Sequence, residues 1–367
     1  MALLGPRDTR QLVNLAGWDA TALRNYDRTN GTSYAEIVSE FNSALSGLNG
    51  ELAADSFVAS IASFTTRPDW SYGVGGSNGF ERHTEYGRPD IKRADLTGHM
   101  LPLKAFDRGL GWTWDFLRNA DMDQVRADFA SAIQDARDIL RQQVIQRLLT
   151  RGDESGVING LGAGGYSPGF ATAASATNVD FTPPQYGANT FTVDHEHYVG
   201  AAGGAFTTAI LDDMIAELKE HGHTGVIDLA IGPSDSAAVQ ALTGFYGPQS
   251  PLVISGTGVT FANVDINEYL GVYKTMRIRE VGGLPQYYGF AYKSYGSLDG
   301  RNPLKIRLPK GSNSLLFEAM TDPRAGNATT PIQYLMLFSE FGVGVNDRTA
   351  ATTRYVNNAT WSDGTAT

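Results

Sequence analysis

The sequence predicts an α+β protein organised around one long helix. Three observations lead there. Residues 121–150 carry Met122, Val125, Phe129, Ile133, Ala136, Leu140, Val144 and Leu148 at gaps of three and four, the period of a helix with one apolar stripe. "GWTWDF" at 111–116 alternates with period two, as a half-buried strand does. From about residue 205 to 330 the pattern runs helix, apolar strand, short helix, then several strands, which is the order of a compact α/β or α+β domain.

The elements follow in order. Residues 1–32 read as an irregular arm with a short helical patch near Ala20–Asp27. Ser33 and Glu36 form a capping-box pair, and Tyr34, Ile37, Val38, Phe41, Leu45 and Leu48 give the next helix its face. Gly47 and Gly50 are expected to end it. "SFVASIASFTT" reads as strand or short helix. Residues 67–105 have no helical period, two Arg-Pro breaks and a Gly-rich tip, too long for an ordinary connection. A protruding two-stranded arm is the natural reading, and an isolated hairpin is marginal in water. This arm is therefore expected to serve assembly and not the folding of its own subunit. The strand at 111–116 would place Trp112, Trp114 and Phe116 on one face. Asp121 opens the long helix with Gln124 as capping partner, no Pro or Gly interrupts it, and Gly152 stops it.

Residues 161–204 are Gly-rich and read as a loop or insertion. "TTAILDDMIAELKEHGH" is a helix ending at Gly222. Residues 226–231 are an apolar strand leading into Gly-Pro, with Ser234 or Asp235 capping a short helix. "PLVISG", "VTFANVDI", "KTMRIREV" and "YYGFAYKSY" read as strands. The tail "PIQYLMLFSEFGVGVNDRTAATTRYV" reads as a strand pair turning at Gly342–Asn346.

Composition narrows the function. The 367 residues have a formal net charge of −10, only 19% charged residues, 42 glycines and no cysteine. No Lys/Arg cluster forms a nucleic-acid-binding face. Disulfides, thiolate zinc sites and thiol nucleophiles are excluded. No apolar run reaches the roughly 18 residues of a membrane span, and no basic n-region leads into an apolar h-region, so no membrane association or secretion is expected. Low charge with 10% aromatic residues fits surfaces covered by other subunits.

Candidate chemistry is thin. "DHEHYVG" holds His195, Glu196 and His197, with His221 and His223 further on. His-Glu-His is not the helical His-Glu-x-x-His spacing, and the sequence offers no third ligand, so no stoichiometric metal is expected. "GLGAGG" at 160–165 lacks the strand and the Lys-Ser/Thr of a phosphate loop and reads as a flexible loop. Ser234 in "GPSDS" lacks the Gly-x-Ser-x-Gly elbow of a hydrolase. Asp212, Asp213 and Glu217 read as a solvated helix face. No catalytic, cofactor-binding or metal residues are assigned, and no enzyme or cofactor is expected.

The order of the parts resembles the major capsid proteins of tailed bacteriophages with the HK97-like fold. "GLGWTWDFLRNADMD", the long helix and "RGDESGVING" resemble that family's passage from extended loop through spine helix to a Gly-Asp turn. "TAILDDMIAELKEHG" and "VIDLAIGPSDSAAVQAL" resemble its axial domain, and "FSEFGVGVNDRTAATTRY" the closing strands of its peripheral domain. The resemblance implies an HK97-like capsid fold with an N-terminal arm and helix at 1–55 and an extended β-hairpin loop with flanking strands at 56–118. It further implies a spine helix at 119–160 that joins 331–367 in a peripheral domain, an insertion at 161–204, and an axial domain at 205–330. No fused scaffolding domain is evident. Lys92, Lys104, Asn357 and Asn358 sit in no motif that would carry over the family's lysine–asparagine cross-link.

The function so implied is structural: self-assembly, as hexamers and pentamers, into an icosahedral virion shell around double-stranded DNA held without sequence-specific binding. Assembly in the host cytoplasm, a portal protein, and a separate scaffold or decoration protein are implied partners and setting. The alternative within the fold is an encapsulin-type nanocompartment shell. More distant alternatives are a metal-dependent hydrolase using His195 and His197, and a tail or baseplate component.

Overall fold

A computed structural model describes residues 34–74, 95–113, 116, 122–152, 155–158, 161–165, 169–171, 182–247, 269–312, 315–321 and 332–366. The chain divides into two compact units: Met1–Asp55, Leu103–Arg141 and Leu308–Phe341 form the first, and Ser56–Pro102, Gln142–Arg307 and Gly342–Thr367 the second. The expected patch near Ala20–Asp27, the Ser33 cap, Trp114 and the strands "PLVISG" and "VTFANVDI" lie outside the described residues.

In the first unit, helix α1 (Tyr34–Ala54) buries Phe41, Leu45 and Leu48. It runs through Gly47 and Gly50, where it was expected to stop. Neither glycine has a positive φ, so each merely costs about 1 kcal/mol of helix propensity relative to Ala, and burial of Leu45 and Leu48 carries the helix on. The long helix α3 (Met122–Leu149) is continuous over 28 residues, roughly 42 Å at the helical rise. Within this unit its stripe buries Val125, Phe129, Ala132, Ala136 and Leu140. Phe129 stacks on Phe41 with ring centroids 4.4 Å apart and receives the edge of Trp112 at 5.2 Å. Trp112 Nε1 donates to Asp128 Oδ2 on the same helix at 2.8 Å.

Trp112 belongs to β4 (Lys104–Thr113), which pairs antiparallel along β15 (Ile332–Val345) from Lys104↔Phe341 to Thr113↔Ile332. β14 (Glu318–Thr321) pairs with β15 as well. The described strand therefore begins well before the expected 111–116, and Phe116 is not part of it: its N–H donates to Thr113 Oγ1.

In the second unit, α2 (Ser56–Ile61) leads directly into β1 (Ala62–Thr65), so "SFVASIASFTT" is both helix and strand. β1 runs parallel to β13 (Leu304–Arg307), which pairs antiparallel with Gly342–Val345 of β15. A seven-stranded mixed sheet has the order β7 (Tyr198–Gly200), β16 (Ala351–Tyr355), β12 (Tyr288–Tyr292), β8 (Ile227–Ile231), β11 (Met276–Glu280), β10 (Tyr269–Tyr273), β9 (Phe245–Tyr246). β8 and β12 are buried along their whole length, the pattern of strands covered on both faces. Helix α4 (Thr208–Glu220) packs Leu211, Met214, Ile215 and Leu218 into a core with Ile227, Leu229 and Ile231 of β8. The last turn of α3 is closed by Arg147, buried, whose Nη2 donates to Thr150 O at 2.8 Å and Gly152 O at 3.1 Å. A cation in the last turn thereby holds the two carbonyls just past the helix end, where the helix dipole favours positive charge.

The tail strands do not pair with one another as expected. β15 joins β4, β13 and β14, whereas β16 inserts between β7 and β12. The link bends the chain away from a hairpin: Asn346 N donates to Pro303 O at 2.7 Å, and Asp347 Oδ1 accepts the Thr349 N–H and hydroxyl at 2.9 and 2.8 Å. Residues 342–367 fall in the second unit, where Gly342–Val345 pairs with β13 and β16 joins the seven-stranded sheet.

Helix α4 starts at Thr207, an N-cap whose Oγ1 accepts the Ile210 N–H at 3.3 Å. Thr207→Ala is expected to cost about 1 kcal/mol. In a urea titration this reads as a lower midpoint with unchanged slope.

Candidate functional site

Two features are not explained by core packing, an arm and a histidine cluster. The arm is β2 (Asp69–Val74) and β3 (Asp95–Met100), paired antiparallel from Asp69↔Met100 to Val74↔Asp95. They form a two-stranded sheet with no further strand among the described residues. Its base is fixed in the second unit: Leu101 is fully buried, its N–H donates to Pro68 O at 2.8 Å, and its carbonyl accepts Arg307 Nη1 at 2.6 Å. The extended polar excursion is thus a hairpin, as its composition indicated, but its root at Leu101 is core.

The histidine cluster lies in the second unit where the chain before β7 meets the end of α4. His195 and His197 lie two apart in the turn-containing stretch before β7, and both rings reach His221, while Glu196 turns away to Arg151. His221 is the C-cap of α4 and Glu220 its last residue. Gly222 takes φ +88°, and a Cβ there would strike the Tyr186 ring, so glycine is required where the chain leaves this helix. Asn189 Nδ2 donates to Glu220 O at 3.0 Å and ties the two segments together.

The three Nε2 atoms converge: His195 to His197 3.1 Å, His195 to His221 2.9 Å, His197 to His221 3.0 Å. Glu220 Oε1 stands 3.3 Å from His195 Nε2 and 3.7 Å from His221 Nε2. His197 Nδ1 lies 2.7 Å from Ala351 O on β16. Phe191 packs its ring against His221 (centroids 4.2 Å) and His195 (4.9 Å). Burial pushes His197 down to about 3, and burial followed by the adjacent imidazoles does the same to His221, so both rings are neutral at pH 7. Burial raises the Glu220 carboxyl.

The sequence singles out His195 and His197 but offers no third ligand; the fold brings Glu220 and His221 beside them. Only His221 among the later histidines joins them. His223 is held separately by Tyr295 Oη and Thr349 Oγ1, both at 2.9 Å.

Other sequence candidates fall apart chemically. Ser234 is exposed on a 3-10 turn (Pro233–Asp235). Asp235 precedes α5 (Ser236–Gln240) but makes no side-chain cap; its buried carboxylate accepts the Tyr287 N–H at 2.9 Å instead. Asp212 pairs with Lys274, and Asp213 is exposed. Glu217 is not solvated as expected: it is held by Arg354 at 2.7 Å and by the Thr352 hydroxyl. Within "GLGAGG", Leu161–Gly165 is a strand, β6, paired with β5 (Ser155–Ile158). The backbone ladder forms there without needing side chains, which is why a glycine run read as a loop.

No protein-family model matches the sequence, and neither does any curated protein. Solved structures do match. A chain from Mycobacterium phage Patience superposes with a TM-score of 0.67 at 18% identity, covering 92% of each chain. A chain of the mature capsid of bacteriophage PhiM1 gives 0.50 at 11% identity, over 83% of this chain and 88% of that one. The protein has the HK97-like capsid fold.

Proposed function

We propose that the protein is the major capsid protein of a tailed bacteriophage, a structural and not an enzymatic subunit. The observation that carries this reading is the likeness to the phage Patience chain over 92% of both chains. The PhiM1 chain of the same fold belongs to a mature capsid. A two-stranded arm with no further strand beside it among the described residues favours the same role, because its outer backbone groups need partners that a neighbouring subunit can supply. Many copies of one such contact close a symmetric shell. Hexamers and pentamers of this chain would then enclose double-stranded DNA without reading its sequence, with a portal at one vertex and a separate scaffold or decoration protein where the shell needs one. The assembled protein would reside in the virion after assembly in the host cytoplasm.

The test is negative-stain electron microscopy of the full chain, expressed alone and with its neighbouring phage genes. Large hollow particles that take up DNA in the presence of terminase and portal are expected. Particles that enclose a co-purifying enzyme instead would assign an encapsulin-type shell. A monodisperse monomer under every condition would overturn the proposal.

A further inference from the structure

We propose that His195, His197, His221 and Glu220 bind one divalent cation of the zinc class, as a structural site unrelated to catalysis. Hydrogen bonding alone does not satisfy this cluster. A neutral imidazole presents at Nε2 either a proton or a lone pair. Three mutually contacting Nε2 atoms form a triangle, and two kinds of atom cannot alternate around three corners. At least one edge must therefore join two protons or two lone pairs. His197 fixes its own corner: the Ala351 carbonyl can only accept, so Nδ1 carries the proton and Nε2 offers its lone pair inward. No choice for His195 and His221 then satisfies all three contacts of 2.9–3.1 Å. A buried polar arrangement that must contain a repulsive or unpaired contact is costly.

A cation at the centre removes the conflict, because all three corners then offer lone pairs to one acceptor. The spacing suits it. Tetrahedral ligands about 2.0–2.1 Å from zinc are roughly 3.3 Å from one another. The three nitrogens are within a few tenths of that edge length, and Glu220 Oε1 at 3.3 and 3.7 Å from two of them takes the fourth corner. All four ligand atoms lie within 4.8 Å of one another. The Ala351 carbonyl behind His197 accepts its Nδ1 proton, the second partner that metal-binding histidines characteristically have, and the Phe191 ring packs against His195 and His221. Three imidazoles with one carboxylate select zinc and its first-row neighbours over magnesium or calcium, which prefer oxygen. Four protein ligands leave no open position, so the hydrolase that two histidines alone raised has no place for water or substrate. The cation instead staples the chain before β7 to the end of α4.

The experiment uses the full chain. After expression with zinc and dialysis, elemental analysis is expected to find about one zinc per chain. Chelation should lower the melting temperature by about 5 °C, and added zinc chloride should restore it. Cobalt(II) added to the stripped protein should develop the strong visible bands of a four-coordinate site. His197→Ala removes a buried ring and could unfold the protein, so the decisive variants are the less buried His195→Ala and Glu220→Gln. Both should melt cooperatively, bind less metal and lose the response to zinc. Asp194→Asn, exposed and next to the cluster, should behave as the native chain. Metal below about one-tenth per chain with no cobalt bands, or undiminished binding by His195→Ala, would overturn the proposal.

Discussion

If the chain is the capsid subunit proposed above, replacing residues 70–100 with a short Gly-Ser linker is expected to leave it folded and to abolish shell formation completely. β2 and β3 pair only with each other among the described residues, so their removal takes no strand from either larger sheet. The boundary decides the outcome. Leu101 is fully buried and bonded to Pro68 and Arg307, and β4 begins at Lys104. The 67–105 span that the sequence marks as expendable therefore includes core at its C-terminal end, and a deletion reaching residue 105 should destabilise the subunit. The 70–100 replacement should melt cooperatively as a monomer or small oligomer, while the intact chain gives large particles. Loss of a contact repeated at every subunit of a closed shell is multiplied over the whole assembly, which is why the effect on particles should be all-or-none. Normal shells from the replacement would show the arm to be dispensable. A 70–100 variant that cannot fold would place the hairpin in the core.

The contrast between those boundaries shows what the residues could and could not reveal. α3 was legible because one stripe of Val125, Phe129, Leu140 and Val144 repeats at helical spacing and all four are buried. α4 was legible through its apolar face and Gly222. The extent of β4 was not: Lys104, Asp107 and Arg108 interrupt the apolar alternation, and only the ladder along β15 makes the segment a strand. The end of α1 was misread because glycine weakens a helix locally, whereas burial acts across the tertiary structure. The destinations of β15 and β16 were hidden for a related reason. Periodicity identifies strands, but pairing depends on where Asn346–Ala350 sends the chain. The histidine cluster is the sharpest case. His197 and His221 are 24 residues apart, and no local motif joins the stretch before β7 to a helix C-cap. Their convergence exists only once α4 and β16 are packed.

Asp228→Ala is expected to destabilise the second unit by about 3–5 kcal/mol, a large part of the 5–15 kcal/mol that typically holds a protein folded. Asp228 lies on β8, a strand buried throughout, and Arg277 is its register partner on the parallel strand β11. The guanidinium grips the carboxylate in a fork: Nε to Oδ1 at 2.6 Å and Nη2 to Oδ2 at 2.7 Å. The side chains are 1% and 23% exposed. Truncating the aspartate leaves a cation in a largely dry sheet with neither acceptor, and that uncompensated charge sets the size of the loss. The pair itself need not be strongly stabilising, since desolvating two ions offsets most of their attraction. Adding Arg277→Leu to Asp228→Ala should therefore recover most of the stability, which a pair valued only for its attraction would not allow. Urea titrations of both single variants and the double variant measure this coupling. The result should change little with added salt, because a buried pair is weakly screened. A cost below about 1 kcal/mol for Asp228→Ala would mean that water reaches the pair and that it behaves as a surface ion pair.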